Sequence, residues 1–501
     1  MNRSVPVAIF AAALVTSSLL AQTRAKTYPD TFAVLNDLNK ASTVMVVEQG
    51  IVPKALGMRI AQGLTQVIAD GEKPGAKRPG DYLAYEPLLV AYVGPDATRM
   101  HSGRSRQDIL PVTRRIMLRD RSLDLLDAMN SAREKLLAMA AKHAATIVPG
   151  YTNGVQAQPT TFGHYLLGFA GAFDRDADRL RQAYARLNLN PLGVAVYGTS
   201  SFPVDRVRLA ELLGFDGNVE NGYDAAQVSP IDVSAEQNSI ASLSALTVGS
   251  LVQDVHTQYH QVVPWLLIQE GAQTHTSSIM PQKRNPTILN NLRLTASTVV
   301  GEAQVYTFQA HNVTLGMPDY KREQTQHTLE EAITMFGQLQ TLFDSLVVNS
   351  ARALDEVNAE YSTTTELADV LQREADVPFR VGHNFASALV TFGRAKGLRP
   401  ADLAFGDVVR IWGEAGKQFD LPEGSAFPLA ERRFREALSA EGMVAASRGL
   451  GGPQPAEMAR MLEGAKKRLA EDRAWAKGAR SRLAEAQARL DGAFNALAEG
   501  R

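Results

Sequence analysis

The chain has 501 residues, which is too long for one ordinary hydrophobic core and predicts several domains. Its 52 basic and 53 acidic residues nearly cancel, so charge gives no reason to expect nucleic acid or an anionic membrane as a partner. Cysteine is absent, which excludes disulfides, a thiol nucleophile and thiolate metal sites. The composition, 45% hydrophobic and 7% aromatic, is typical of a globular protein with an aliphatic interior.

The first 25 residues have the pattern of a secretory signal. Arg3 precedes an apolar run at residues 5–20, and small residues suited to cleavage follow at Ala21 and Ala25. This order predicts that residues 1–25 are removed and that the mature protein is exported to the periplasm, with no stable membrane association afterwards. A membrane anchor is the alternative, because the apolar run approaches the length that spans a bilayer.

Long helices are predicted for the middle of the chain. Apolar residues recur at steps of three and four over residues 241–266, which is the pattern of one buried helix face. Similar patterns cover residues 122–143 and 329–351, so we expect a bundle of long helices. Pro264 is expected to kink or end the first of these helices. Strand signals are few.

Breaks in the helical pattern suggest a division into domains. A loop rich in glycine, proline and charge occupies residues 70–80, and further prolines punctuate the C-terminal third of the chain. After the signal we predict an N-terminal helical domain, a central bundle, a C-terminal helical domain and a charged helical tail, at residues 26–120, 121–370, 371–470 and 471–501.

The most informative stretch is residues 276–286, which read Thr-Ser-Ser-Ile-Met-Pro-Gln-Lys-Arg-Asn-Pro. Two serines, a lysine and an asparagine in a loop punctuated by prolines are suited to holding a small carboxylate. The run resembles the signature loop of the fumarase/aspartase superfamily, whose members eliminate fumarate or a close analogue from a succinyl-type substrate. The resemblance implies a mainly α, three-domain fold whose central helices assemble into a homotetramer.

Two further stretches resemble the argininosuccinate lyases within that superfamily. Residues 101–108 read His-Ser-Gly-Arg-Ser-Arg-Gln-Asp, and residues 149–159 read Pro-Gly-Tyr-Thr-Asn-Gly-Val-Gln-Ala-Gln-Pro. With weaker matches elsewhere, the resemblance covers residues 31–470. It implies a carbon–nitrogen lyase that reversibly releases fumarate from an N-substituted aspartate, without a metal or other cofactor.

The resemblance also assigns roles to individual residues. Removing a proton next to a carboxylate needs a strong base and donors aimed at the aci-carboxylate that develops. The base would be Ser278, and Lys283 would be the cation that stabilises its alkoxide. The other expected site residues bind the small dicarboxylate or aminocarboxylate substrate, and they are Ser105, Arg106, Gln107, Thr152, Asn153, Gln158, Ser277, Asn285 and Tyr320.

The two arginines of residues 101–108 are expected to bind substrate, whereas three histidines elsewhere are expected to be structural. Arg104 and Arg106 are two residues apart, so on a loop both can present guanidinium groups to a carboxylate. His164 is interpreted as a residue of helix packing. His256 and His260 are interpreted as helix surface, because no acidic third ligand accompanies them in the sequence.

Departures from the family pattern cluster on the side of the leaving amine. The family's histidine, an acid/base group, is replaced by Asn153, and an amide cannot exchange a proton at neutral pH. Gln107 replaces an asparagine, while Thr325 and Thr328 are expected where the family contacts the arginine-like half of its substrate. His311 is a candidate replacement acid. We therefore predict that the natural substrate is not argininosuccinate.

Two other functions stay open at this point. A cycloisomerase is one, since some members of the superfamily that lack this histidine close lactones. A non-catalytic protein on the same scaffold is the other. Ser278, Lys283 and Asn285 weigh against the non-catalytic reading, whereas Asn153 weighs for it.

Overall fold

The structure is a computed structural model that describes residues 27–317, 324–417 and 425–501. The predicted signal and Tyr320 lie outside these residues. The described residues are mainly α-helical with a few short strands, which confirms the predicted fold class. None of the described helices combines the length and the apolar character that a membrane crossing requires.

The helices fall into three groups along the chain. The N-terminal group comprises α1 (Thr31–Glu48), α2 (Lys54–Gly71) and α3 (Tyr82–Val93). The middle group comprises α4 (Arg106–Lys142), α5 (Phe162–Leu187), α6 (Arg206–Leu213), α7 (Ser229–Gln258), α8 (Thr287–Ala310) and α9 (Thr325–Ser345). The last group comprises α10 (Ser350–Ala359), α11 (Thr364–Ala375), α12 (Phe379–Ala395), α13 (Phe405–Lys417), α14 (Glu431–Ala437), α15 (Ala440–Ala446) and α16 (Pro455–Ala498).

The strands form two-stranded sheets at the ends of these helices. Three pairs are antiparallel, namely β1 (Ile147–Thr152) with β2 (Val155–Thr161), β5 (Leu266–Ile268) with β8 (Leu346–Val348), and β6 (His275–Thr276) with β7 (Arg284–Asn285). The parallel pair is β3 (Leu189–Asn190) with β4 (Gly217–Asn218).

Helices α4, α5, α7, α8 and α9 pack side by side as a central bundle. Each contributes fully buried apolar side chains to one central core, for example Leu125, Phe173, Val248, Leu292 and Phe336. Helix α4 alone has 37 residues, so at 1.5 Å per residue it is about 55 Å long. The bundle therefore has two ends that are far apart.

Helix α16 packs against two cores. Near its start, Met458 and Leu462 are buried in the central core, whereas Leu490 and Phe494 are buried against α1 and α2 in an N-terminal core. A third core, the C-terminal core, is formed between residues 361 and 438.

A buried ion network fixes the middle of α16 to the bundle. Arg133 of α4 is 1% exposed at its side chain and pairs with Asp174 of α5 and, at 2.6 Å, with Asp472 of α16. Arg181 and Arg468 pair with the same two carboxylates at the margin. Because both buried carboxylates have cationic partners, the network holds three helices together without an unpaired buried acid.

Two predicted helices end earlier than expected. Helix α7 ends at Gln258, before Pro264, and Leu266 instead lies in β5. Helix α9 ends at Ser345, because the next residues form β8 and pair with β5. Helix periodicity could not show this pairing, which joins segments far apart in the chain. The predicted domain boundaries stay predictions, although α4 and α16 run unbroken through positions 120 and 470.

Candidate active site

The first motif caps the start of α4. Ser105 is the N-cap residue, its oxygen accepts a hydrogen bond from Gln107 N at 3.2 Å, and Asp108 Oδ1 accepts from Ser105 N at 2.7 Å. Asp108 Oδ2 accepts from the N–H groups of Gly193 and Val194, both at 3.1 Å. Burial raises the pKa of Asp108 to about 7, while these N–H donors favour its charged form. Among the described residues the hydroxyl of Ser105 accepts but does not donate a hydrogen bond, which leaves its hydrogen for a ligand.

Arg104 and Arg106 have different surroundings. Arg104 is 6% exposed, donates through Nη1 to Asn39 Oδ1 at 3.0 Å and Ser42 Oγ at 2.9 Å, and lies over the ring of Tyr82. Arg106, the first residue of α4, is exposed. The expectation that both could face a carboxylate is therefore wrong, because Arg104 points into the N-terminal core. Arg106 remains the candidate for the succinyl group.

The second motif forms a β-hairpin. Thr152 pairs with Val155, and the two residues between them, Asn153 and Gly154, have φ angles of 52° and 75°. Two successive positive φ angles in a two-residue loop are typical of a type I′ turn, for which Asn-Gly is a favoured sequence. Asn153 therefore shapes an exposed tip that carries Thr152. Sequence analysis missed this hairpin, although the Asn-Gly pair was its available signal.

The base of the hairpin is tied to the segment before α16. His164 Nε2 donates to the carbonyl oxygen of Gly451 at 2.8 Å, because a carbonyl oxygen can only accept. In a neutral ring Nδ1 then has no hydrogen, and it accepts from the Thr160 hydroxyl at 2.8 Å. Both ring nitrogens are used, which agrees with a packing role for His164. Gln158, on β2, is exposed.

The signature loop has a fixed base and an exposed tip. Ser277 Oγ accepts from the N–H groups of Ile279 at 3.4 Å and Met280 at 3.2 Å, which closes a turn. Ser278 and Lys283 are exposed beside this turn. The structure thus gives Ser277 a backbone role and leaves the Ser278 hydroxyl at the surface.

Asn285 lies in the base of the loop. Its side-chain amide donates to the carbonyl oxygen of His275 at 3.4 Å, across the β6–β7 pair. Next to it, Arg284 forms an ion pair with Glu270 at 2.9 Å. These contacts hold the loop so that Asn285 is half-buried near the exposed lysine.

The three motifs do not meet within one chain. The hairpin follows the last turn of α4, and Trp265, just before the signature loop, packs against Phe162 at the start of α5. Hairpin and loop therefore share one end of the bundle. Ser105 and Arg106 lie at the opposite end, about 55 Å away along α4.

The expected replacements on the amine side are not supported. Thr325 and Thr328 are each 1% exposed, since Thr325 Oγ1 accepts from Asn238 Nδ2 at 2.7 Å and Thr328 donates to the Gln324 carbonyl. The prediction that they contact substrate is wrong, because both face the bundle interior. His311 is exposed at the end of α8.

His256 lies near the end of α7, whereas His260 lies two residues beyond Gln258, so the prediction that both are on a helix surface is wrong for His260. The rings of His256 and His260 are 6.4 Å apart, and burial, with smaller effects of Arg293 and His260, lowers the pKa of His256. In the part of the chain that the structure describes, no group of three or more His, Asp or Glu side chains could hold a metal ion.

Comparison with known proteins identifies the family. Residues 57–301 match the family model described as Lyase, and residues 361–445 match the model described as Argininosuccinate lyase C-terminal. The argininosuccinate lyase of Methanoculleus marisnigri is 33% identical over 440 residues, which cover 86% of each chain. The chain belongs to the argininosuccinate lyase family. This agrees with the three motifs that pointed to the fumarase/aspartase superfamily.

Solved structures of lyases share this fold. An EDDS lyase variant with bound fumarate has a TM-score of 0.86 and 28% identity, covering 94% of this chain and 92% of its own. A 3-carboxy-cis,cis-muconate lactonizing enzyme from Pseudomonas putida has a TM-score of 0.65 and 18% identity over 86% and 94% of the two chains, which shows the shared fold alone. As an argininosuccinate lyase family member, the protein is a carbon–nitrogen lyase, and the comparisons support an N-substituted aspartate as its substrate class.

Proposed function

We propose that the enzyme reversibly eliminates fumarate from an N-substituted aspartate other than argininosuccinate, with Ser278 as the base. The observation that carries this proposal is the signature loop, which leaves the hydroxyl of Ser278 and the ammonium group of Lys283 exposed on one loop. Both groups are accessible there to a substrate bound against another surface.

The chemical step needs no redox change. Ser278 takes a proton from the carbon next to a carboxylate, and the C–H electron pair moves into an aci-carboxylate that Lys283 stabilises by charge. That electron pair then forms the C=C bond of fumarate while the C–N pair leaves with the amine. Asn153 cannot supply a proton to the amine, so the proton comes from water or from His311, or the leaving nitrogen already carries it.

A complete site requires several copies of the chain. Since Arg106 and Ser278 lie at opposite ends of a bundle about 55 Å long, copies packed in opposite directions would bring them together. The outward faces of α7 and α8 carry exposed apolar side chains that such packing would cover, namely Leu243, Leu246, Leu294, Val305 and Phe308. We therefore propose a homotetramer with composite sites along this bundle.

Hybrid sites test the assembly directly. At substrate concentrations well below KM, the Arg106→Ala and Ser278→Ala variants should each have a strongly reduced rate alone. A mixture refolded or co-expressed together should regain part of the wild-type rate through sites that combine intact surfaces. A monomeric mass in light scattering, or no recovery in verified mixed oligomers, would contradict the composite site.

The amine that leaves is proposed to differ from arginine. Asn153 replaces the family's acid/base histidine, and the buried threonines of α9 cannot contact a substrate. Fumarate consumption should be followed with a panel of amines, and fumarate release with argininosuccinate. The proposal expects the adduct of at least one amine to be cleaved faster than argininosuccinate. Faster cleavage of argininosuccinate than of every adduct would contradict it.

Export is proposed from the pattern of residues 1–25. N-terminal sequencing of protein from its native cells should give a chain that starts after Ala21 or Ala25. A cytoplasmic protein that retains Met1 would contradict export.

A further inference from the structure

A cavity of about 490 Å³ lies behind the β1–β2 hairpin. It is bounded by the hairpin, by the first turn of α5, by the end of α7 and by the segment that follows α7. The residues that give it chemical character are Tyr151, Tyr165, Asp254, Gln258, Gln261 and Trp265. Among the described residues that line it there is no lysine, arginine or histidine.

Aromatic rings form one wall of the cavity. Phe162 stacks on Tyr165 at 5.8 Å and meets Trp265 edge-on at 5.9 Å between ring centroids, which fixes both rings in place. Tyr151 adds a third ring from β1. Electron-rich ring faces attract cations, and the attraction grows where water is excluded.

Hydrogen-bond acceptors lie beside these rings. Asp254 Oδ2 accepts from the Tyr165 hydroxyl at 3.0 Å, and a carboxylate keeps further acceptor positions after one such bond. Gln258 is 6% exposed, and its Oε1 has no hydrogen-bond partner among the residues that the structure describes. A buried acceptor without a partner is costly unless a ligand or water donates to it. The cavity therefore needs a donor.

The surrounding charges do not offset the carboxylate. Arg352 is paired with Glu356 at 2.9 Å, and Glu356 also accepts from the Tyr151 hydroxyl. The paired arginine adds no free positive charge there. The lining then offers the carboxylate of Asp254, uncharged acceptors, aromatic rings and one donor, Trp265 Nε1, which like Gln258 Oε1 has no hydrogen-bond partner among the described residues. Because the one formal charge in the described lining is negative, the cavity fits a cation and disfavours an anion.

We propose that this cavity binds an organic ammonium ion, a primary or secondary amine in its protonated form with a short apolar body. Its N–H groups donate to Asp254 and to Gln258 Oε1, while its alkyl part contacts the rings. Tyr151 and Thr152 are neighbours on a strand, so their side chains point to opposite faces of the hairpin. The ammonium site is thus separate from the surface of Thr152 and goes beyond the proposed elimination.

The binding test uses the full-length oligomeric protein with Ser278→Ala, so that turnover cannot interfere. Butylammonium and the neutral isostere 1-butanol are titrated while tryptophan fluorescence and heat are recorded. Saturable binding of butylammonium, at least tenfold tighter than that of 1-butanol, is expected. Its fluorescence signal should be lost in Trp265→Phe, while the heat of binding persists.

Two charge variants separate the cavity from general electrostatics. Asp254→Asn should weaken butylammonium binding at least tenfold, because it removes the carboxylate and keeps the shape. The matched control Asp178→Asn, at an exposed carboxylate on α5, should change binding less than twofold. Gln258→Leu should also weaken binding.

Several results would overturn the proposed site. These are the absence of saturable binding, equal binding of 1-butanol, unchanged binding in Asp254→Asn, or displacement of butylammonium by succinate. None of them bears on whether the wild-type enzyme forms fumarate, so failure of this site and failure of the proposed elimination are distinguishable.

Discussion

The two ends of the central bundle use their motif residues differently. At the start of α4, Asp108 and Arg104 are buried and bonded to backbone and side-chain groups, and Arg106 alone is left exposed. At the other end, the hairpin tip and the signature loop project outward with Thr152 and Ser278 exposed. Each motif thus combines residues that build the local structure with neighbours that stay free for substrate. Substituting one of each kind should separate the two roles.

The largest effect is expected at Ser278. Ser278→Ala should lower turnover by about 10³-fold or more while the Kd for succinate changes less than about fivefold, because the hydroxyl acts mainly in the transition state. Single-turnover kinetics and succinate titration measure these quantities.

Ser277→Ala is the matched control, since its oxygen only caps the turn at Ile279 and Met280 in the single chain. Its turnover should fall about tenfold, in line with the loss of a local hydrogen-bonded turn. Full activity in Ser278→Ala would end the assignment of the base.

The second comparison sets Arg106 against Arg104. Arg106→Ala should raise KM for the succinyl substrate by about 30- to 100-fold, because the variant loses a charge-assisted hydrogen bond to the substrate. The denaturant midpoint of unfolding should stay unchanged. Arg104→Ala should instead lower the free energy of unfolding by about 2–4 kcal/mol, because it opens a cavity and removes donors from buried Asn39 and Ser42. The reverse pattern in denaturation and kinetics would show that Arg104 is the substrate ligand.

A third test exchanges the tip residue for that of the family. Asn153→His should lower the free energy of unfolding by about 0.5–1 kcal/mol, because histidine adopts a positive φ less readily than asparagine. Turnover should rise on substrates with poor leaving amines, or stay unchanged on good ones, if the amine leaves without a protein acid. Collapse of activity in a folded variant would mean that the Asn153 amide makes a bond that the reaction requires.

The last test concerns a pH dependence of stability at the end of the bundle where α4 starts. His101 stacks on Tyr82, and burial, with a smaller effect of the Arg104 charge, lowers its pKa to about 3. The unfolded chain takes up this proton near pH 6.5, so stability is fully present above that pH and is lost as pH falls towards 3. Between pH 7 and pH 5 His101 should lower the free energy of unfolding by about 1–2 kcal/mol. Urea denaturation of the His101→Gln variant should show a pH dependence that is smaller by this amount. An identical pH slope in both proteins would refute the assignment.

Sequence reasoning predicted the fold class and the family because both leave local marks. The helical period survives in α4, α7 and α9, and the signature loop keeps its serines and lysine in order. What it missed depends on contacts distant in sequence. Pairing of β5 with β8 puts residues that the helical pattern had covered, such as Leu266, into strands. Only the tertiary fold shows that Thr325 faces Asn238 rather than solvent.

The sequence also predicted some properties of the site residues and missed others. The exposed positions of Arg106, Ser278 and Lys283 fit their predicted roles, but their roles stay predictions. Arg104 was misassigned because a loop sequence does not say which of two neighbouring side chains points inward. Asn153 was interpreted as a substrate-binding residue in place of a lost histidine, although the Asn-Gly pair that it forms with Gly154 is also a local turn signal that could have been used.

The packing of α16 has a consequence for how the protein unfolds. One continuous helix supplies Met458 and Leu462 to the central core and Leu490 and Phe494 to the N-terminal core, so melting it removes side chains from both. Amide hydrogens of α1 and α7 should therefore exchange through the same global opening. Within the described residues α16 adds no side chain to the C-terminal core, so α11 and α12 can exchange at a lower free energy, as a separate unit.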